Sequence, residues 1–241
     1  MDVGSNTRET LASFYNRNKM IQRIPMLEDV ARNVNVLFWG LSGRPVPPPG
    51  LFKARTVRKY AKHYGLRCLV ETGTYRGGMI ATVRRDFDEI YSIELSDRLH
   101  AIAQERFAKD KHVRLICGDS GEELPRVVER LVCPALFWLD AHYSGGETAE
   151  GIEGNPIMRE IACILKDCKA HVILVDDMRL FGTDPAYPTS EALTAKITQM
   201  AGERVTLEIR DDILRITPTT LAVPEAVAGA TGRARRADAD A

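Results

Sequence analysis

Three aspartates and a histidine follow two short apolar segments, and their side chains are of the types that bind cations or move protons. Asp140 and His142 follow the segment LFWL, and Asp176 and Asp177 follow VILV. If these segments are neighbouring strands, the carboxylates repel one another unless a cation or protons compensate them. Oxygen ligands of this kind suit Mg²⁺, Mn²⁺ or Ca²⁺. The pattern therefore predicts a metal site formed by Asp140, Asp176 and Asp177.

Asp140 and His142 are the candidate catalytic residues. The imidazole of His142 titrates near neutral pH, so it is a candidate general base. Two alternatives stay open. In one, Asp177 caps a loop and only Asp140 faces the crevice. In the other, His142 faces solvent and takes no part in the chemistry.

A glycine-containing segment, VETGTYRGG, follows an earlier apolar segment. Glycines at such a point let the backbone turn sharply and approach a ligand closely, with a helix N-terminus following. The spacing differs from the G-x-G-x-x-G of dinucleotide-binding proteins, and a plain tight turn between strand and helix is the alternative. The candidate cofactor-binding residues of this segment are Glu71, Gly73, Thr74, Tyr75, Gly77 and Gly78.

Two further segments could complete a nucleoside-binding crevice. Glu94 ends the segment YSIE, 21 residues after Gly73, a distance at which a strand-end carboxylate can bind both ribose hydroxyls. Leu95, which follows it, and the strand-end Asp140 are included among the cofactor-binding candidates. Asp119 and Ser120 stand where an adenine ring would lie, or else one of them caps the next helix.

Apolar segments alternate with amphipathic ones between residues 50 and 217, which predicts a doubly wound α/β fold with a mostly parallel sheet. Ser96 is a candidate helix N-cap and Gly65 a candidate helix end. Residues 204–218 read as a closing strand or hairpin. We expect three parts: an N-terminal helical extension with a proline-rich connector (1–49), the α/β domain (50–217) and a disordered tail (218–241).

The chain has 241 residues, and 33 Lys and Arg balance 33 Asp and Glu. Residues 1–70 carry twelve of the basic residues and four of the acidic ones. The basic residues at 53–62 alternate with apolar ones, which predicts an amphipathic helix whose cations form a solvated face; an anionic partner is the alternative. No aromatic residues interleave with them in the manner of base-stacking proteins, so we expect no nucleic acid partner.

Composition also bears on location. No apolar run of about 18 residues occurs, so no membrane span is expected. The first fifteen residues lack the apolar stretch of a signal peptide. The five cysteines form no C-x-x-C pair and are expected as buried or half-buried free thiols. These features favour a reducing, cytoplasmic compartment.

Taken together, the strand-end residues resemble the class I S-adenosylmethionine-dependent methyltransferases. The pattern comprises E-x-G-T-x-x-G from Glu71, the acidic Glu94, the GDS segment at 118–120 and Asp140. The segment DAHYSGG, followed by an apolar strand ending in Asp-Asp, is similar more narrowly to the metal-dependent sugar O-methyltransferases of the macrocin and novobiocin pathways. The resemblance covers roughly residues 50–217.

The resemblance implies a role for each segment. The loop from Glu71 to Gly78 would hold the methionine part of S-adenosylmethionine, Glu94 its ribose, and Asp119 with Ser120 its adenine. Mg²⁺ or another divalent cation would bind two vicinal hydroxyls of a small-molecule or sugar acceptor and lower the pKa of one of them. Two departures bear on this. His142 stands where the family often has a carboxylate, and the second and third glycines of the loop are shifted or absent.

Three other functions compete with an O-methyltransferase. The first is a nicotinamide-dependent oxidoreductase, which the glycine spacing disfavours. The second is a non-catalytic member of a glycan or secondary-metabolite assembly, which the intact aspartates disfavour. The third is a hydroxylase, for which no iron triad is visible.

The glycine-containing loop 143–155 is a candidate lid. Arg179 could contact an anionic acceptor or lie on the surface. The apolar segment VNVLFWGL could dock a second subunit or pack in the core.

Overall fold

The computed structural model describes residues 25–140 and 156–220, which form a seven-stranded sheet with helices on both faces. The strands are β1 (Cys68–Thr72), β2 (Glu89–Glu94), β3 (Val113–Cys117), β4 (Leu136–Leu139), β5 (Val172–Val175), β6 (Val205–Arg210) and β7 (Ile213–Pro218). The α-helices are α1 (Pro25–Leu41), α2 (Gly50–Tyr64), α3 (Gly78–Val83), α4 (Asp97–Phe107), α5 (Ser120–Arg130), α6 (Pro156–Lys166) and α7 (Ser190–Ala201). The predicted doubly wound fold with N-terminal helices is confirmed.

The strand order is β3-β2-β1-β4-β5-β7-β6. Strands β1 to β5 run parallel, and β7 pairs antiparallel with both β5 and β6. The predicted closing segment is therefore a hairpin. From β1 the chain first builds outward to β2 and β3, and then returns to place β4 on the other side of β1. Ligands of such sheets bind in the crevice at this switch point, beyond the carboxyl ends of the strands.

The central strands β4 and β5 are entirely apolar and buried because the sheet is covered on both faces there. Leu69 and Trp138 face the layer of α2, α3 and α4, whereas Val70 and Phe137 face the layer of α5, α6 and α7. All four side chains are buried. Two packed layers fix the strands firmly, so the residues that follow the strand ends are held at defined positions.

Local signals read from the sequence agree with the structure at several helix ends. The hydroxyl of Ser96 accepts a hydrogen bond from the N–H of Leu99 at the start of α4. Gly65 ends α2 with φ of 65°, a left-handed conformation that glycine adopts without steric cost. The proline-rich connector joins α1 to α2, and α1 begins at Pro25.

The N-terminal helix α1 is only partly covered. Trp39 is buried, and its indole N–H donates to the carbonyl of Pro45. Leu37 and Phe38 are exposed, so of the three large side chains Leu37, Phe38 and Trp39, only Trp39 takes the core role considered for this segment. In the described residues, no helix combines the length and apolarity that crossing a membrane requires.

The prediction of buried or half-buried thiols is wrong for three cysteines. Cys68 is buried and Cys163 half-buried, but Cys117, Cys133 and Cys168 are exposed. All five thiols are free. The predicted tail lies outside the described residues from 221 onward, and the proposed domain boundaries at 49 and 217 stay predictions.

Candidate active site

Strands β4 and β5 end side by side and bring the three predicted metal-binding aspartates together. Asp140 follows β4, and Asp176 and Asp177 follow β5, its parallel neighbour. One carboxylate oxygen from each residue lies within 4.8 Å of the others. Asp176 and Asp177 are buried and Asp140 is half-buried. The arrangement concentrates negative charge at the carboxyl edge of the sheet.

The two neighbouring aspartates differ in their surroundings. Burial raises the pKa of Asp176, although the ammonium of Lys53 opposes the shift. Its Oδ1 is buried and has no hydrogen-bond partner among the described residues. Burial also acts on Asp177, but its hydrogen bond to Arg179 and the nearby Lys53 together hold its pKa below the usual value. Asp176 therefore keeps an open ligand atom, whereas Asp177 is held by two cations.

Lys53 on α2 supplies a cation to this cluster, which the sequence analysis missed. Its Nζ lies 2.5 Å from Oδ2 of Asp176 and 3.1 Å from Oδ1 of Asp177. Burial lowers its pKa, but the two carboxylates outweigh this and raise it overall. The prediction of a solvated cationic face is thus wrong for Lys53. The sequence does contain a signal that Lys53 faces the sheet. Lys53 precedes the buried Val57 by four residues and so shares its helix face.

Arg179 links the aspartate cluster to the β6–β7 hairpin. Its guanidinium contacts Oδ1 of Asp177 at 2.7 Å and Oδ2 of Asp212 at 2.5 Å. The carboxylate of Asp212 also accepts from the backbone N–H of Arg179 at 2.6 Å. Asp212 lies in the turn of the β6–β7 hairpin. The hairpin turn is therefore tied to the aspartate cluster through Arg179. Contact of Arg179 with an anionic acceptor stays a prediction.

The glycine loop follows β1 and requires glycine at two positions. Gly73 has φ of +81°, and a Cβ there would lie 3.1 Å from Cβ of Asp140. Gly77 has φ of +67°, and a Cβ there would lie only 2.5 Å from the ring of Phe107. Gly78 begins α3 and faces open space. Tyr75 has φ of 49° and an exposed ring.

A buried chain of hydrogen bonds fixes this loop to the sheet. The hydroxyls of Thr74 and Ser92 lie 2.6 Å apart, and Ser92 donates to Oε2 of Glu71, also at 2.6 Å. Burial raises the pKa of Glu71 to about 8. The structure thus places Glu71 beneath the loop as a supporting residue. Its predicted contact with the cofactor stays a prediction.

Glu94 is the strand-end carboxylate predicted to bind a ribose. Its Oε2 accepts from the backbone N–H of Tyr75 at 2.7 Å, and its Oε1 accepts from Ser96 at 2.9 Å. These bonds orient the carboxylate toward the glycine loop. Each oxygen keeps further acceptor capacity for a donor such as a sugar hydroxyl. Leu95, the next residue, is half exposed, with 52% of its surface accessible.

Asp119 makes the helix-capping contact that was considered as the alternative role, whereas Ser120 is the first residue of α5 and bonds to another helix. The carboxylate of Asp119 accepts from the N–H of Gly121 at 2.7 Å and caps α5. Ser120 donates to Oε1 of Glu160 at 2.5 Å, and Thr72 donates to Oε2 of the same carboxyl. Burial raises the pKa of Glu160 to about 7. The sequence analysis missed Glu160, whose helical spacing resembles that of an ordinary core position. Adenine contact by Asp119 and Ser120 stays a prediction.

His142 lies outside the described residues, as does the predicted lid at 143–155. Its role as general base stays a prediction from the sequence.

No family model matches the chain, and no curated protein matches it by sequence. Solved structures match it in fold. The O-methyltransferase from Bacillus cereus in complex with SAH is 15% identical, with a TM-score of 0.51, and the match covers 77% of this chain and 90% of that one. TomG from Streptomyces achromogenes, an O-methyltransferase involved in tomaymycin synthesis and solved with SAM, is 16% identical, with coverages of 78% and 88% and a TM-score of 0.51.

A sugar-modifying enzyme also matches. CalS10, an amino pentose methyltransferase from Micromonospora echinaspora solved with SAM, is 12% identical, with coverages of 70% and 90% and a TM-score of 0.50. At these identities the likeness establishes the fold. The chain therefore has the fold of the class I S-adenosylmethionine-dependent O-methyltransferases, as the resemblance in its sequence implies.

Proposed function

We propose that this protein is an S-adenosylmethionine-dependent O-methyltransferase, assisted by a divalent cation, whose acceptor is a hydroxylated small molecule or a sugar. The observation that carries the proposal is the meeting of Asp140, Asp176 and Asp177 beside the glycine loop, at the switch point of the sheet. The fold, shared with O-methyltransferases solved with SAM or SAH, supports it.

The cofactor fits the residues around the crevice. When bound, S-adenosylmethionine supplies an electrophilic methyl group on its sulfonium. Glu94, already oriented by two backbone N–H groups, would accept from the ribose hydroxyls. Gly73 and Gly77 keep the loop backbone in a conformation that lets it approach the cofactor closely. This arrangement aligns the reacting atoms, and alignment is a large part of what a methyl transfer requires.

A divalent cation also fits. The donor set is three carboxylates, the kind of ligand that Mg²⁺ prefers, and Oδ1 of Asp176 is buried without a hydrogen-bond partner among the described residues. Asp140, Asp176 and Asp177 would hold the ion. When bound, it would supply the positive charge that lowers the pKa of an acceptor hydroxyl. His142 is our proposed acceptor of the hydroxyl proton.

Lys53 favours a second candidate, an O-methyltransferase that needs no metal. Its ammonium already compensates Asp176 and Asp177 from within 3.1 Å. In this form of the reaction Lys53 would be the resident cation that stabilises the negative charge of the acceptor oxygen. The two candidates share fold and cofactor and differ only in the source of the positive charge.

A binding experiment separates the two. We would titrate the wild-type protein and an Asp176→Asn variant with Mn²⁺ and follow free Mn²⁺ by electron paramagnetic resonance. The metal-assisted enzyme should bind one ion, and the variant should bind it at least about tenfold more weakly, because one charged ligand is lost. No binding of Mn²⁺ to the folded wild-type protein would favour the Lys53 mechanism.

A cytoplasmic location, the absence of a nucleic acid partner and homo-oligomer formation remain predictions of the sequence.

A further inference from the structure

A cationic groove lies between α1, α2 and the β6–β7 hairpin, beside the aspartate cluster. Its volume is about 690 Å³. The groove is lined by five basic side chains and one acidic one, namely Arg44, Arg55, Lys59, Arg210, Arg215 and Asp211. This excess of positive charge has no role in the site described above.

Arg215 is the innermost of these cations. It lies on β7, and only 2% of its surface is accessible. One of its terminal nitrogens donates to the backbone carbonyls of Arg210 and Ile213, but its buried Nε has no hydrogen-bond partner among the described residues. Its Nε lies 3.9 Å from a carboxylate oxygen of Glu208, beyond hydrogen-bond distance. A buried guanidinium with an open donor is costly unless an anion completes its contacts.

The cations at the rim are unequally neutralised. Arg44 and Arg210 both pair with Asp211, and Arg210 also pairs with Glu208. Arg55 bonds to the neutral amide of Asn33, and within the described ranges neither Arg55 nor Lys59 has a carboxylate partner. Exposed cations are usually solvated, but here they converge with Arg215 on a single groove. Several cations around one cavity raise its affinity for anions.

The groove is lined by two residues that directly precede residues holding the aspartate cluster. Phe52 lines it, and the next residue, Lys53, contacts Asp176. Asp211 lines it as well, and its neighbour Asp212 holds Arg179. One molecule could therefore lie in the groove and present a hydroxyl at the carboxylates.

We propose that this groove binds a phosphate or diphosphate group through Arg55, Lys59 and Arg215. Resting on the proposed function, we assign that group to the methyl acceptor, which is then a phosphorylated compound. Guanidinium groups form paired hydrogen bonds with phosphate oxygens, and a lysine adds a point charge. Three nearby cations match the charge of a diphosphate better than that of a carboxylate.

The test uses inorganic pyrophosphate as the probe, with the wild-type protein and an Arg55→Ala, Lys59→Ala double variant. Both positions are exposed, so the variant should fold normally. Calorimetry should show binding of one pyrophosphate to the wild type, weakened at least about tenfold in the double variant because two charge-assisted contacts are lost. Lys62→Ala, also exposed on α2 but outside the groove, is the matched control and should leave binding within about twofold of the wild type, because it keeps both contacts.

Three results would overturn the assignment: no pyrophosphate binding, equal loss in the Lys62 control, or competition between pyrophosphate and S-adenosylmethionine. The last would place the anion in the cofactor crevice. Binding of S-adenosylmethionine is measured separately on the same variants and should be unchanged. If neither the wild type nor any variant binds S-adenosylmethionine, the result counts against the proposed function. If S-adenosylmethionine binds but pyrophosphate does not, the result counts against the groove alone.

Discussion

The ammonium of Lys53 lies 2.5 Å from Oδ2 of Asp176, which joins helix α2 to the end of strand β5. This contact spans 123 residues of sequence. It places a cation where the fold concentrates three carboxylates.

Replacing Lys53 by methionine should destabilise the metal-free protein. The change leaves buried carboxylates without their cation, and breaking such a pair costs about 3 kcal/mol or more, less whatever Asp176 recovers by taking up a proton. Mg²⁺ should restore more stability to Lys53→Met than it adds to the wild type. Urea unfolding in EDTA and in Mg²⁺ measures both effects. Lys62→Met is the control on the same helix, and equal behaviour of the two variants would contradict the role given to Lys53.

The glycine loop should tolerate alanine at one position and reject it at its neighbour. Gly77→Ala imposes a left-handed conformation on alanine and pushes its Cβ into the ring of Phe107, so the free energy of unfolding should fall by about 2–4 kcal/mol. Gly78→Ala meets open space at the start of α3 and should be neutral or stabilising by up to about 1 kcal/mol. Urea unfolding compares them. Similar losses in both would mean that the close approach to Phe107 is not what requires glycine.

Glu160 should make stability depend on pH. Its folded pKa of about 7 lies above the ordinary value of 4.5, so the folded state binds the proton more tightly than the unfolded one. The contribution is full below about pH 4.5 and is lost as the pH rises through about 7. Glu160→Gln cannot ionise, so its stability relative to the wild type should rise by about 3 kcal/mol across this interval.

Urea unfolding at several pH values within the interval measures this difference. Glu105→Gln, at an exposed position on α4, is the control and should follow the wild-type profile. If the profiles of Glu160→Gln and the wild type run parallel, the carboxyl of Glu160 does not titrate in this range.

The sequence reveals the parts of the site that follow strands. Asp140, Asp176 and Glu94 each come directly after or at the end of an apolar segment, and parallel strands bring such positions to one edge. Alternating apolar and amphipathic segments also predict the doubly wound α/β fold around them. These inferences need only local patterns and the general geometry of a parallel sheet.

The contacts across the fold could not be read in this way. The pairing of Lys53 with Asp176, the bonds of Glu160 to Thr72 and Ser120, and the burial of Arg215 all join residues far apart in the chain. At residues 51–62, basic and apolar residues alternate in the pattern of an amphipathic helix. Which cation points toward the sheet depends on helix rotation, which packing sets.

The central claim is that the crevice beside Glu94 binds S-adenosylmethionine. Calorimetric titration of the protein with S-adenosylmethionine, with and without Mg²⁺ and with NAD⁺ as a control ligand, tests it most directly. We expect saturable binding of S-adenosylmethionine and none of NAD⁺. Binding should be lost in Glu94→Ala, which removes the oriented carboxylate, and kept in Glu89→Ala, at the opposite end of the same strand. A folded wild-type protein that does not bind S-adenosylmethionine, or a Glu94→Ala variant that binds it normally, would contradict the account.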